Sequence, residues 1–264
     1  LALKKRWGQN FMVSRSARER IVRALDPASG ELVWEVGPGM GGITALLLER
    51  GARVTVFEID HGLMRVIRDR FGDQVRVVAG DAVQTLTGQD ERPARFVGNL
   101  PYRSAAAIVT TILENPGLMA SLNRLVITVQ REMARRMVAG PRSSDYSPFS
   151  VLCALVTEAR LSGDLSRGNF YPPPEVVSSV VVMEPREIDP ELRRLASTAA
   201  RSLFTSRRKT VANNAATLAR RLGLPAARIK AVLEAAGISP GARAESVPPD
   251  GFLEIARHLQ RALE

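Results

Sequence analysis

Apolar runs of strand length recur along the first two thirds of the chain, with helical patterns between them. LVWEVGP (32–38), VTVFEID (54–60), VRVVAGD (75–81), ARFVGNL (94–100) and RLVITVQ (124–130) predict five successive strands. Between the first two, ITALLLERG has helix-forming composition and closes on Gly51, a suitable C-cap. Strands alternating with helices predict a mostly parallel sheet covered on both faces. ARLSGDL (159–165) and VVSSVVVMEP (176–185) predict two further strands with no convincing helix between them, hence an antiparallel pair at one edge. Beyond Pro185 the texture changes. ELRRLASTAARSLF, ARIKAVLEAAG and DGFLEIARHLQRALE carry helical patterns, and no strand candidate appears. The expected architecture is α/β: a Rossmann-like sheet domain over residues 1–187, then a small all-α domain over 188–264.

Composition adds bounds. The 264 residues are 45% apolar and 24% charged, an ordinary globular balance. No apolar run approaches the roughly 20 residues needed to cross a bilayer, and no signal peptide opens the chain, so a cytoplasmic protein without membrane attachment is expected. The chain starts at Leu1, so a short preceding segment is also expected. A single cysteine, Cys153, excludes an internal disulfide and a multi-cysteine zinc site, and its setting in VLCALV reads as core. No metal site is expected.

Charge changes the picture more. The chain has 37 Lys and Arg against 27 Asp and Glu, a net +10. Residues 1–30 hold 7 basic and 2 acidic residues, 31–100 hold 8 and 10, and 201–230 hold 8 and none. Basic ends flanking a near-neutral centre suggest a polyanion held around a site.

The candidate chemistry lies at the strand ends. EVGPGMGG (35–42) follows a strand and opens a helix, where α/β sheets meet nucleotide-like ligands. Its Gly37-x-Gly39-x-Gly41 spacing differs from the dinucleotide fingerprint, although Gly42 fits that frame. Glu58 closes the next strand, suited to ribose hydroxyls, and Asp81 closes the third, suited to an adenine amine. No phosphate-binding lysine motif accompanies them. The set fits an adenosine ligand without phosphates, S-adenosylmethionine better than a dinucleotide, although these residues alone leave a dehydrogenase open.

Asn99-Leu100-Pro101-Tyr102 then falls at the end of the fourth predicted strand. Pro101 fixes its own φ and pushes Leu100 towards an extended conformation, which sets the direction of the Leu100 carbonyl. That carbonyl and the Asn99 amide oxygen are two acceptors, enough for both hydrogens of an exocyclic amine, and Tyr102 offers a ring to stack on the base. The arrangement would favour a pyramidal adenine N6 with its lone pair aimed at a methyl group.

With these residues in view, the chain resembles the ribosomal RNA adenine dimethyltransferase family, the KsgA/RsmA group, whose relatives include the Erm resistance methyltransferases. The resemblance rests on KKRWGQNFMV (4–13), EVGPGMGGIT (35–44), FEID (57–60), AGDA (79–82), GNLPY (98–102), VQREMARRM (129–137), NFYPPPEVVSSVV (169–181) and SRRKTVANN (206–214). They cover nearly the whole chain in family order. The resemblance implies a class I methyltransferase sheet and an S-adenosylmethionine site at Gln9, Asn10, Met12, Gly37, Gly39, Glu58, Ile59, Asp81, Ala82 and Asn99. It implies catalytic roles for Asn99, Leu100, Pro101 and Tyr102, with Phe170 facing Tyr102 across the target base; without the family, Phe170 reads equally as a core or turn aromatic. RNA contacts are implied at Lys4, Lys5, Arg6, Arg207, Arg208 and Lys209, and Arg103, read from its own chemistry and not from the family, could contact a phosphate next to the flipped base.

The implied reaction is N6,N6-dimethylation of two adjacent adenosines in a hairpin near the 3′ end of small-subunit (16S) ribosomal RNA. The expected partner is that RNA or the pre-30S particle, and the expected enzyme is a monomer. NLPY with VQRE favours the KsgA side over an Erm-type enzyme acting on large-subunit (23S) RNA. A mainly non-catalytic assembly factor is the reading from another class. Two positions leave the family pattern: Arg103 stands where Asn is usual, and Glu175 where Lys is usual.

Overall fold

The computed structural model describes residues 10–264. The chain runs β1 (Phe11–Met12), α1 (Arg15–Leu25), β2 (Leu32–Val36), α2 (Gly42–Glu49), β3 (Arg53–Glu58), α3 (His61–Phe71), β4 (Val75–Ala79), α4 (Ala82–Thr85) and β5 (Arg95–Asn99). It continues through α5 (Ala105–Glu114), α6 (Pro116–Ser121), β6 (Arg124–Gln130), α7 (Arg131–Val138), α8 (Pro148–Val156), β7 (Thr157–Leu165), β8 (Phe170–Tyr171) and β9 (Ser178–Pro185). Four helices close it: α9 (Pro190–Leu203), α10 (Val211–Leu222), α11 (Ala226–Ala235) and α12 (Pro249–Leu263).

All seven strands expected from the sequence are present, and they form one sheet in the order β4-β3-β2-β5-β6-β9-β7. The pairs from β4 through β6 are parallel, and β9 runs antiparallel to β6. Every residue of β2 is buried, as a central parallel strand covered on both faces requires. The Trp34 and Phe57 rings pack at 4.8 Å and 59° across β2 and β3. The strand order reverses beside β2: β3 lies on one side and β5 on the other. Ligands of open α/β sheets bind outside the carboxyl ends of strands at such a switch point.

The short β1 and β8 pair antiparallel, Phe11 opposite Tyr171 and Met12 opposite Phe170. Two residues are too few for an alternating pattern to register, which is why the sequence did not announce them.

The chain divides into two compact units, residues 1–134 with 159–185, and residues 135–158 with 186–264. The second therefore differs from the simple C-terminal domain expected over 188–264. Its extra segment carries α8, whose apolar run joins the core built by α9 and α12. The Tyr146 ring meets Phe204 edge-on at 5.7 Å, Phe204 stacks on Phe252 at 6.1 Å, and the Tyr146 hydroxyl donates to the Val247 carbonyl at 2.9 Å. Cys153 is fully buried, and burial pushes its thiol well above the usual range. Among the described residues no helix is long and apolar enough to cross a membrane.

Candidate functional site

Each polar group at the carboxyl edge of the first unit's sheet is placed by a strand that ends and a turn that follows. β2 stops at Val36, and Gly37, Gly39 and Gly41 all take positive φ (70°, 58° and 76°) on the way into α2. The loop is covered closely: a Cβ at Gly39 would lie 2.9 Å from the Phe11 ring, and one at Gly41 would clash with the Phe71 ring. Arg70 donates to the Met40 carbonyl at 2.7 Å and fixes the loop from the α3 side.

β3 ends on Glu58, whose Oε1 accepts the backbone N–H groups of Ile59 and Asp60, both at 2.8 Å. Burial raises the Glu58 pKa, and those backbone donors pull it back. Asp60 then caps α3 through the Gly62 N–H at 2.8 Å. After β4, Asp81 caps the short α4 by accepting from Val83 N–H at 2.9 Å, and Ala82 follows it.

β5 ends on Asn99. Its amide nitrogen donates to the Asn10 carbonyl at 2.9 Å, which orients the amide and keeps its oxygen as an acceptor. Leu100 N–H donates to the Thr128 carbonyl at 3.1 Å, and the Pro101 carbonyl accepts from Ser104 and Ala105 as the chain turns into α5. Among the described residues no protein group donates to the Leu100 carbonyl. The half-buried Tyr102 shares a 2.7 Å hydrogen bond between its hydroxyl and that of Ser178 on β9, and burial raises its pKa.

These groups surround one cavity of about 360 Å³ in the first unit. Of the expected cofactor residues, Asn10, Met12, Gly37, Gly39, Glu58, Ile59, Asp81, Ala82 and Asn99 all line it. So do Leu100, Pro101 and Tyr102, with Arg103 exposed beside them. Gln9, Lys4, Lys5 and Arg6 lie outside the described residues.

Phe170 requires a correction. It is 3% exposed, packs in the core with Ile21, Leu165 and Val180, and does not line the cavity. Side chains alternate along a strand, so the pairing of β8 with β1 turns Phe170 inward and leaves its neighbour Tyr171 61% exposed.

In the second unit, Arg207 pairs with Glu245 at 3.3 Å and donates to the Ser144 carbonyl at 3.0 Å, while Arg208 and Lys209 are exposed.

The cavity also holds groups not anticipated from the sequence. Glu35 on β2 is 1% exposed, accepts from the Thr44 hydroxyl at 2.6 Å, and is pushed up to about 7, chiefly by burial. A carboxylate inside a wholly apolar strand was the available signal. Arg18 on α1 also reaches the cavity, and no local pattern marked it.

The residues fit an adenosine-bearing cofactor. The glycine loop admits a ligand against backbone, carboxylates close β3 and β4, and the apolar Phe57, Ile59, Leu63 and Ala82 wall the space beside them. This sheet order with this site defines a class I, S-adenosylmethionine-dependent methyltransferase. Within that class the chain belongs to the ribosomal RNA adenine dimethylase family, which it matches over residues 1–261.

Among curated proteins, the ribosomal RNA small subunit methyltransferase A of Treponema pallidum (strain Nichols) is 38% identical, covering 100% of this chain and 93% of that protein. Among solved structures, a dimethyladenosine transferase from Plasmodium falciparum superposes with a TM-score of 0.80 at 21% identity, covering 95% and 98% of the two chains, a likeness of fold. The 23S rRNA methyltransferase ErmE is similar with a TM-score of 0.68 at 28% identity, covering 95% and 100%.

Proposed function

We propose that this enzyme transfers methyl groups to N6 of two adjacent adenosines in a hairpin near the 3′ end of small-subunit ribosomal RNA, as a monomer in the cytoplasm, with the RNA or the pre-30S particle as its substrate. One observation carries this reading: Asn99, its amide oriented by the Asn10 carbonyl, lines with Leu100 and Tyr102 the same cavity that Gly37, Glu58 and Asp81 line. S-adenosylmethionine, when bound, supplies a methyl already activated by its sulfonium.

The chain supplies alignment. Asn99 and Leu100 accept the two N6 hydrogens and so draw the nitrogen towards a pyramidal geometry, while Tyr102 stacks on the base. Because the Tyr102 hydroxyl is held by Ser178, the far end of its ring is anchored before the base arrives. Pro101 holds the Leu100 carbonyl in place. Arg103, exposed at the rim, is assigned to the phosphate beside the extruded base. Glu58 is assigned to the ribose hydroxyls and Asp81 to the cofactor's adenine amine. Lys4, Lys5 and Arg6, together with Arg208 and Lys209, are assigned to the RNA backbone.

The name of the Treponema relative supports the small-subunit assignment, and the likeness to ErmE keeps large-subunit RNA as the second reading. Methyl transfer from labelled cofactor to small-subunit particles lacking the modification, and in parallel to naked large-subunit RNA, tests both. Two labelled adjacent adenosines near the 3′ end are expected. Label confined to naked large-subunit RNA would replace the first reading with the second.

A further inference from the structure

Arg18 sits where neither the glycine loop nor the adenine clamp has a use for it. Its guanidinium lies against Gly42, the first residue of α2: a Cβ there would meet Arg18 Cδ at 2.8 Å, with Nη1 closer still. Two long hydrogen bonds steer the side chain, from Nε to the Ser14 carbonyl and from Nη2 to the Val13 carbonyl, both 3.3 Å. Among the described residues no carboxylate pairs with it, although Glu35 lines the same cavity. Glu35 is held by Thr44 of that same first turn of α2. A guanidinium and a buried carboxyl are thus seated two residues apart on one helical turn, unpaired with each other.

The sheet fixes which end of the ligand arrives there. With Asp81 after β4 taking the adenine and Glu58 at the end of β3 taking the ribose, the remainder of the ligand continues across the loop after β2. Two strand spacings, roughly 10 Å, separate β4 from β2. The next polar groups in that direction belong to the first turn of α2 and to α1 above it. Arg70, a second guanidinium on the cavity, is spent on the Met40 carbonyl and on the Phe71 ring, 5.0 Å from its centroid. Arg103 follows the acceptor clamp on the other side of the site.

We propose that Arg18 binds the carboxylate of the cofactor's amino-acid end. The planar guanidinium suits a carboxylate, and its Nη1 lies against Gly42, which lines the cavity with Arg18 and opens α2, so that a carboxylate held there would also meet the amide end of that helix. The proposal rests on the assignment of Asp81 to the adenine and Glu58 to the ribose.

The test compares two ligands that differ only at the amino-acid end, by calorimetric titration of the full chain. S-adenosylhomocysteine carries the carboxylate; 5′-methylthioadenosine lacks it and keeps adenine and ribose. Arg18→Met should weaken S-adenosylhomocysteine by about 10- to 100-fold, the worth of one charge-assisted contact, and leave 5′-methylthioadenosine within about twofold. Arg18→Lys should recover part of the loss. Equal weakening of both ligands would overturn the proposal, because it would make Arg18 only a strap on Val13 and Ser14; so would no weakening of either. Asp81→Ala and Glu58→Gln separate the two readings. If they fail to weaken 5′-methylthioadenosine, the adenine and ribose assignments fall, and the Arg18 proposal falls with them. If they weaken it while Arg18→Met has no ligand-selective effect, only the Arg18 proposal is lost.

Discussion

Asn99 has two jobs at once: its nitrogen holds the Asn10 carbonyl and its oxygen is left to accept from the substrate amine. Removing the acceptor should therefore cost the reaction more than it costs cofactor binding. Asn99→Ala is expected to lower methyl transfer by roughly 10²- to 10³-fold, with the affinity for S-adenosylhomocysteine changed far less; retained turnover in a single-turnover assay would refute the clamp. Glu35 is the other residue whose environment sets its behaviour. Burial lifts its carboxyl from an ordinary 4.5 to about 7, so the folded chain holds this proton more tightly than the unfolded chain does. Stability from that proton is complete below about pH 4.5 and is lost as the pH rises through about 7. Glu35→Gln keeps the Thr44 contact without titrating. Its stability relative to the parent should improve by up to about 3 kcal/mol between pH 5 and pH 8. Thermal unfolding of the cofactor-free chains across that range checks the sign, and a pH-independent difference would rule out Glu35 as the titrating group.

At the level of elements, the clamp depends on how closely β5 passes β2. A Cβ at Gly98 would meet the Val36 carbonyl at 3.0 Å and the Leu100 side chain at 2.7 Å, so Gly98→Ala forces the Leu100 side chain and the tight β2–β5 contact to give way beside the clamp. A fall in methyl transfer of ten-fold or more, larger than the fall in cofactor affinity, is expected; equal falls in single-turnover and titration experiments would show that the strand as a whole had moved. The same elements explain what the sequence made legible. Six of the seven strands were readable as apolar runs bounded by turn residues, and the site was readable because its acids and its amide close consecutive strands. Phe170 was not, because the pairing that turns it inward involves only two residues on each side. Arg18 was not, because a basic residue on an amphipathic helix looks like any solvated one until Gly42 is brought beneath it. Nor did composition say that α8, an apolar run just before a sheet strand, joins the core of α9 and α12.

For the molecule as a whole, the charge distribution bears on RNA affinity rather than on chemistry. The net +10 is uneven, and the eight basic residues between 201 and 230 have no acidic residue before Glu234 to offset them. Not all of these cations are equally available. Arg207 already pairs with Glu245 and holds the Ser144 carbonyl, whereas Arg208 and Lys209 are exposed. A guanidinium that must give up two internal partners gains less from a phosphate than one taken from water. Replacing Arg208 and Lys209 together by alanine should weaken RNA binding at low salt and flatten the dependence of log affinity on log salt by about 0.7–0.9 for each phosphate left without its cation. Arg207→Ala should instead leave most of that slope intact and lower the melting temperature slightly, since a half-exposed ion pair contributes at most about 1 kcal/mol. Filter binding of small-subunit RNA across a salt series distinguishes the cases. If the double variant keeps the parent's slope while Arg207→Ala flattens it, the ion pair with Glu245 opens on binding, and Arg207 is the cation that the RNA uses.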